Sequence, residues 1–133
     1  MEYDIFLAGG KKVNAQFRGF TVKTDQPPED GGENSAPSPF DYFLSALGTC
    51  AGFYVLSFCE TRKISTDKIK LSLNGVYDEE KGRLETVRIT IHLPPDFPEK
   101  YRKVLTRTVD QCSVKKAIMN PPVFDVRAEI AES

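Results

Sequence analysis

From Tyr42 to Cys59 the chain carries no charged residue, and apolar side chains fall on every face of the helix this run predicts. Ser38 suits the N-cap, and Pro39 the first helical position, where its missing N–H has no intrahelical partner to lose. Asp41 follows in the first turn, where the helix dipole favours an acid, and Arg62-Lys63 suit the other end. A helix from Ser38 to Glu60 is roughly 33 Å long at about 1.5 Å per residue.

The pattern before this helix is that of short strands. Glu2 to Leu7 alternates weakly and runs into Gly9-Gly10, a hairpin signal. Val13, Ala15 and Phe17 share one face of a second strand, and after the break at Gly19, Phe20, Val22 and Thr24 make a third. Asp25 to Pro37, with Pro27, Pro28, Pro37 and two adjacent glycines, reads as a loop long enough to be functional.

After the helix, the strands Lys68–Tyr77 and Leu84–Leu93 are expected to pair through a turn at Gly82, with Asn74-Gly75 as a bulge. Tyr101, Val104, Leu105, Thr108 and Val109 recur at helical spacing after Phe97-Pro98-Glu99. A short third helix spans Ser113 to Asn120 and stops at Pro121-Pro122. Val123 to Ile130 alternates as a final strand. The order βββ-α-ββ-αα-β, with hairpins instead of crossovers, indicates an α+β fold of antiparallel sheets around a long buried central helix.

Composition narrows this picture. The 133 residues make one domain, 1–133. A charge-free run of this length matches the shortest membrane spans, but Ser45, Gly48, Thr49, Gly52 and Ser57 dilute it. The expectation is a helix covered by sheets and by a second subunit, because its apolar perimeter exceeds what one short chain covers. A net charge of −1 supplies no electrostatic case for nucleic acid or an anionic membrane. The start Met1-Glu2-Tyr3-Asp4 is unlike a signal peptide, so a cytoplasmic location with reduced thiols is expected.

Few residues are left for chemistry. His92 is the one histidine, in an alternating strand on the face opposite Val87, Ile89 and Ile91, and reads as a surface residue. No metal-ligand spacing, dinucleotide fingerprint or P-loop is present. Cys59 lies nine residues from Cys50, on the opposite helix face, and reads as a buried apolar residue. Cys50 is flanked by Gly48, Thr49, Ala51 and Gly52, which let another backbone or a substrate approach its sulfur. Cys112 precedes a helix start with Lys115 and Lys116 one turn on, a setting that stabilises a thiolate. Spacing alone leaves two readings open for Cys50 and Cys112: two buried thiols, or a functional pair.

The run Ser38-Pro39-Phe40-Asp41-Tyr42-Phe43-Leu44-Ser45-Ala46-Leu47-Gly48-Thr49-Cys50 resembles the helix-start motif of the OsmC/Ohr family, the osmotically inducible and organic hydroperoxide resistance proteins. Cys112-Ser113-Val114-Lys115-Lys116-Ala117-Ile118 is similar to that family's second cysteine segment. The resemblance implies an OsmC-like fold in an intertwined homodimer and thiol-dependent reduction of organic, lipid-like hydroperoxides in stress defence. It implies Cys50 as the peroxidatic thiolate, Cys112 as the resolving thiol, and an external dithiol such as a lipoyl group, carried by a lipoylated protein, as reductant. No bound cofactor or metal is implied. Phe43, Phe53 and Tyr54 are the expected pocket wall.

The chain departs from the hydroperoxide-resistance branch at one point. That branch places a Glu directly after the helix-start Pro and pairs it with an Arg from the first strands. Here that position is Phe40, and the acid, Asp41, comes one step later. Arg18, the one arginine before the long helix, is the candidate activating cation, with Asp41 as its acid. Asp41 lies about 13 Å from Cys50 along the helix axis, so it reaches a Cys50 only across a dimer contact. The OsmC-like branch therefore fits better. Two other readings remain: a non-enzymatic binder of a hydrophobic ligand with redox-sensing cysteines, and thiol hydrolysis or acyl transfer, which the lack of a partner histidine disfavours.

Overall fold

The amino-terminal alternation folds as an antiparallel meander of β1 (Asp4–Leu7), β2 (Val13–Phe17) and β3 (Phe20–Thr24) in the computed structural model, which describes residues 1–131. Arg18 and Gly19 join β2 to β3 with φ of 46° and 82°, so Phe17 and Phe20 face each other across a two-residue hairpin. Positive φ at both central residues gives the turn a twist that matches its strands, and Gly19 takes it without a Cβ clash.

The loop from Asp25 to Pro37 is irregular apart from one 3-10 turn, Pro28–Asp30. It is organised by Asp25, whose side chain is 1% exposed. That carboxylate accepts the backbone N–H groups of Gln26 (2.8 Å), Glu33 (3.3 Å) and Ser35 (3.0 Å), and the Ser35 hydroxyl at 2.5 Å.

The charge-free run is α1 (Pro39–Thr61). Its start is closed reciprocally: Ser38 Oγ accepts the Asp41 N–H at 3.2 Å, and the Asp41 carboxylate accepts the Ser38 N–H at 3.0 Å. This is a capping box with Asp in the place of the usual Glu or Gln. The Tyr42 hydroxyl donates to the carbonyl of Lys23 at 2.7 Å, tying the first turn to β3.

Burial runs down one stripe of α1, through Leu47, Ala51, Val55, Phe58 and Cys59, while Phe43, Phe53 and Leu56 are exposed. By length and composition α1 passes for a membrane span, with a mean hydropathy of 1.5. At the other end Arg62 Nη1 donates to the Phe58 carbonyl at 3.2 Å. Its guanidinium lies 3.6 Å from the Phe58 ring centroid, a cation–π contact that closes the helix end.

β4 (Lys70–Asp78) and β5 (Arg83–His92) form a two-stranded hairpin. Gly75 lies within β4, and a Cβ there would lie 3.3 Å from Leu84 and 3.8 Å from Leu44 of α1. A 3-10 turn, Glu99–Tyr101, leads into α2 (Arg102–Val109), which buries Leu105 and Val109. α3 (Ser113–Met119) follows with Cys112 as its N-cap and buries none of its own residues.

The described chain divides into two compact units, Met1–Gly48 with Leu71–Thr90, and Thr49–Lys70 with the chain from Ile91 onward. Both cysteines of the expected pair belong to the second.

The expected last strand, Val123 to Ile130, does not form. A strand needs a neighbour's N–H and C=O groups, and none of the strands among the described residues pairs with this segment. Its apolar side chains stand in solvent, with Phe124 82% and Val126 93% exposed. Alternation recorded the capacity to pair, and pairing is a non-local event.

Candidate functional site

Cys50 lies near the middle of α1, half-buried, and Cys112 is 3% exposed at the α2–α3 corner. Both are free thiols. The fold brings the two sulfurs within hydrogen-bonding reach of each other.

The environments of the two thiols differ in sign. Burial pushes Cys50 up, but the Cys112 thiol and the backbone amides of Val114 and Ser113 face its sulfur and outweigh that effect. The net result is a Cys50 that ionises below an ordinary thiol. Cys112 is held above its usual value, first by burial and then by donating its proton toward Cys50. The amides of Lys115 and Val114 pull it the other way without either closing a capping hydrogen bond. The first amides of α3 therefore act on both sulfurs: those of Ser113 and Val114 on Cys50 in α1, and those of Lys115 and Val114 on Cys112, where they favour the thiolate as expected but are outweighed by burial and by Cys50. Lys115, expected to add positive charge there, is ion-paired with Asp110.

Tyr54 stands one helical turn after Cys50, and its hydroxyl lies 3.0 Å from Ser113 Oγ. An open groove of about 420 Å³ adjoins it, lined by Tyr54, Val104, Arg107, Thr108, Asp110 and Gln111. Of the expected pocket wall only Tyr54 lines this groove; Phe43 and Phe53 are exposed on α1.

The other sequence candidates lie elsewhere. Arg18 is in the β2–β3 turn, its guanidinium 5.3 Å from the Phe17 ring and 6.0 Å from the Phe20 ring. Asp41 is engaged in the capping box, and Phe40 packs against Phe43 and Tyr77 at centroid distances of 5.6 and 6.3 Å. These residues belong to the unit that does not contain the thiol pair. Cys59 is 0% exposed, its pKa raised by burial against a smaller opposing effect of Arg62. His92 is exposed at the end of β5, and no cluster of metal-ligating side chains occurs among the described residues.

Sequence reasoning missed the two amides and the Tyr54–Ser113 pair. A signal for the latter was available: Tyr54 is four residues after one cysteine and Ser113 directly follows the other.

An α+β chain whose long apolar helix offers one thiol to a second thiol at a short helix start defines a class of small paired-thiol proteins. The chain belongs to the OsmC-like protein family, whose model matches residues 32–127. No curated protein sequence matches it.

Solved structures share its fold. A Psychrobacter arcticus protein assigned to the osmotic stress and detoxification response is 20% identical, with a TM-score of 0.75 over 86% of this chain and 85% of that one. The OsmC-like protein of Mycoplasma pneumoniae is 15% identical, with a TM-score of 0.70 over 91% and 89%. The organic hydroperoxide resistance protein OsmC of Legionella pneumophila is 20% identical, with a TM-score of 0.60 over 89% of each chain.

Proposed function

We propose that this protein is a thiol-dependent peroxidase that reduces organic, lipid-like hydroperoxides through Cys50 and Cys112. The observation that carries the reading is the asymmetry of the pair: Cys50 favoured as thiolate and Cys112 held as thiol, within reach of each other. A nucleophile and a proton donor are what the two steps of such a reaction need.

In the first step the Cys50 thiolate attacks the distal oxygen of the peroxide. The O–O bond breaks, Cys50 becomes a sulfenic acid, and the alkoxide leaves as the alcohol after taking a proton from water. In the second step the Cys112 sulfur attacks the Cys50 sulfur. The S–O bond breaks, the Cys112 proton and the sulfenic hydroxyl leave as water, and a disulfide remains. An external dithiol, such as a lipoyl group on a lipoylated protein, then exchanges with that disulfide and restores both thiols.

Activation of Cys50 in this scheme rests on the amides of Ser113 and Val114 and on the Cys112 thiol, groups of its own unit. A named relative from Legionella pneumophila is an organic hydroperoxide resistance protein, which supports the reaction class.

The same reading takes the active form as a homodimer. Phe53 and Leu56 of α1 and the Val123–Ile130 segment are exposed apolar surface that a second copy would cover. Light scattering is expected to give twice the 14.9 kDa chain mass; a monomer at all concentrations would remove this part.

The deciding experiment is consumption of cumene hydroperoxide by the purified protein with dihydrolipoamide. Wild type is expected to turn over, Cys50→Ser to be inactive, and Cys112→Ser to stall after one equivalent. An inactive wild type, or an active Cys50→Ser, would overturn the proposal and leave a ligand-binding role.

A further inference from the structure

Cys112 and Ser113 occupy the corner between two short helices, and nothing in α3 is buried. Beyond Cys112, which is itself buried, packing alone therefore holds α3 weakly. The Lys115–Asp110 ion pair ties α3 to the end of α2, not to α1. Besides the groups that reach Cys50, a side-chain tie to α1 runs from Tyr54, whose hydroxyl meets Ser113 Oγ at 3.0 Å, one turn along the face that carries Cys50.

We propose that Tyr54 is a positioning residue for the thiol pair. Its hydroxyl pins Ser113 to α1, and that placement keeps Cys112 and the two amides over the Cys50 sulfur. The inference rests on the thiol-pair reading above, but it concerns how the pair is held and not which peroxide it meets.

Three groups reach Cys50 from the pinned segment: the Cys112 thiol and the Ser113 and Val114 amides. All three move together if the pin is lost. Two properties should then change in concert, since both depend on that one placement. Cys50 should ionise less readily, and its sulfenic acid should wait longer for Cys112. A tyrosine that merely filled space would change neither when only its hydroxyl is removed.

The test uses Tyr54→Phe, which keeps the ring, Ser113→Ala, and the double variant. The first measurement is the pH midpoint of Cys50 alkylation, resolved by peptide mass spectrometry. The second is the partition of the sulfenic acid, generated with one equivalent of hydrogen peroxide, between a dimedone adduct and the disulfide. Loss of one neutral hydrogen bond predicts about a fivefold shift toward the adduct and a raised midpoint in each single variant. The double variant is expected to be no worse than either single one, because both remove the same bond.

Unchanged midpoint and partition in both single variants, or effects that add in the double variant, would overturn the proposal. If Tyr54→Phe does not fold, Ser113→Ala decides alone. A wild type that ignores organic hydroperoxides yet shows these shifts would end the peroxidase reading and leave the positioning role standing. If no disulfide forms in the wild type, the alkylation midpoints decide.

Discussion

The Asp25 carboxylate holds both the hydroxyl and the backbone amide of Ser35, at 2.5 and 3.0 Å, and thereby fastens the far side of a loop ten residues on. Hydrogen bonds from Ser35, Gln26 and Glu33 outweigh burial and lower this carboxyl from 3.8 to about 2. A carboxyl lowered on folding stabilises the protein above its unfolded value and loses that contribution as pH falls through the folded one. Asp25→Asn should therefore melt below wild type at neutral pH. The gap between the two melting curves should narrow from pH 3.8 down to about 2. A gap independent of pH over that range would contradict this.

Gly32 is fixed by space in the same loop. A Cβ there would stand 1.9 Å from the carbonyl oxygen of Gln26, so backbone must move to admit one. Gly32→Ala should cost about 2 kcal/mol in urea unfolding.

Removing the thiol that points at Cys50 should raise its pKa. Cys112→Ala takes away the hydrogen bond that favours the Cys50 thiolate, while the amides of Val114 and Ser113 remain. The Cys50 alkylation midpoint should move upward, so the variant reacts more slowly at neutral pH and catches up in alkaline solution. A downward shift would mean that burial of Cys50, not its partner, sets its ionisation.

The capping box makes its own prediction. Ser38→Ala leaves the Asp41 N–H without its acceptor and should cost about 1 kcal/mol. Alkylation of Cys50 in the same variant should be unchanged, because Cys50 lies about three turns further along α1 and fraying stays within the first turn.

Leu105 is 1% exposed and is the deepest residue of α2. Leu105→Ala should cost about 3 kcal/mol by denaturant titration, through lost burial and the cavity left behind.

What could be read in advance follows from how local each signal is. Ser38, Pro39 and Asp41 announce the start of α1 because a cap is settled within one turn of chain. The meander strands were legible because alternation and the Arg18-Gly19 break lie side by side. The Val123–Ile130 segment has the same alternation, yet its partner strand is not a neighbour in sequence, and no strand of the described chain takes it up. The thiol pair was legible as two motifs, while the direction of its asymmetry was not. That direction depends on which sulfur the amides of Ser113 and Val114 face, a matter of packing between α1 and α3. Asp25 went unnoticed because a single acid at a loop start looks like any other until four donors converge on it.

Cys59 carries a different kind of information. Its sulfur is sealed, 0% exposed, in the turn that Arg62 closes. A bulky maleimide meets it only when that end of α1 comes apart. Its labelling half-time is thus a clock for opening of this part of the molecule, read at a residue outside the Cys50–Cys112 pair.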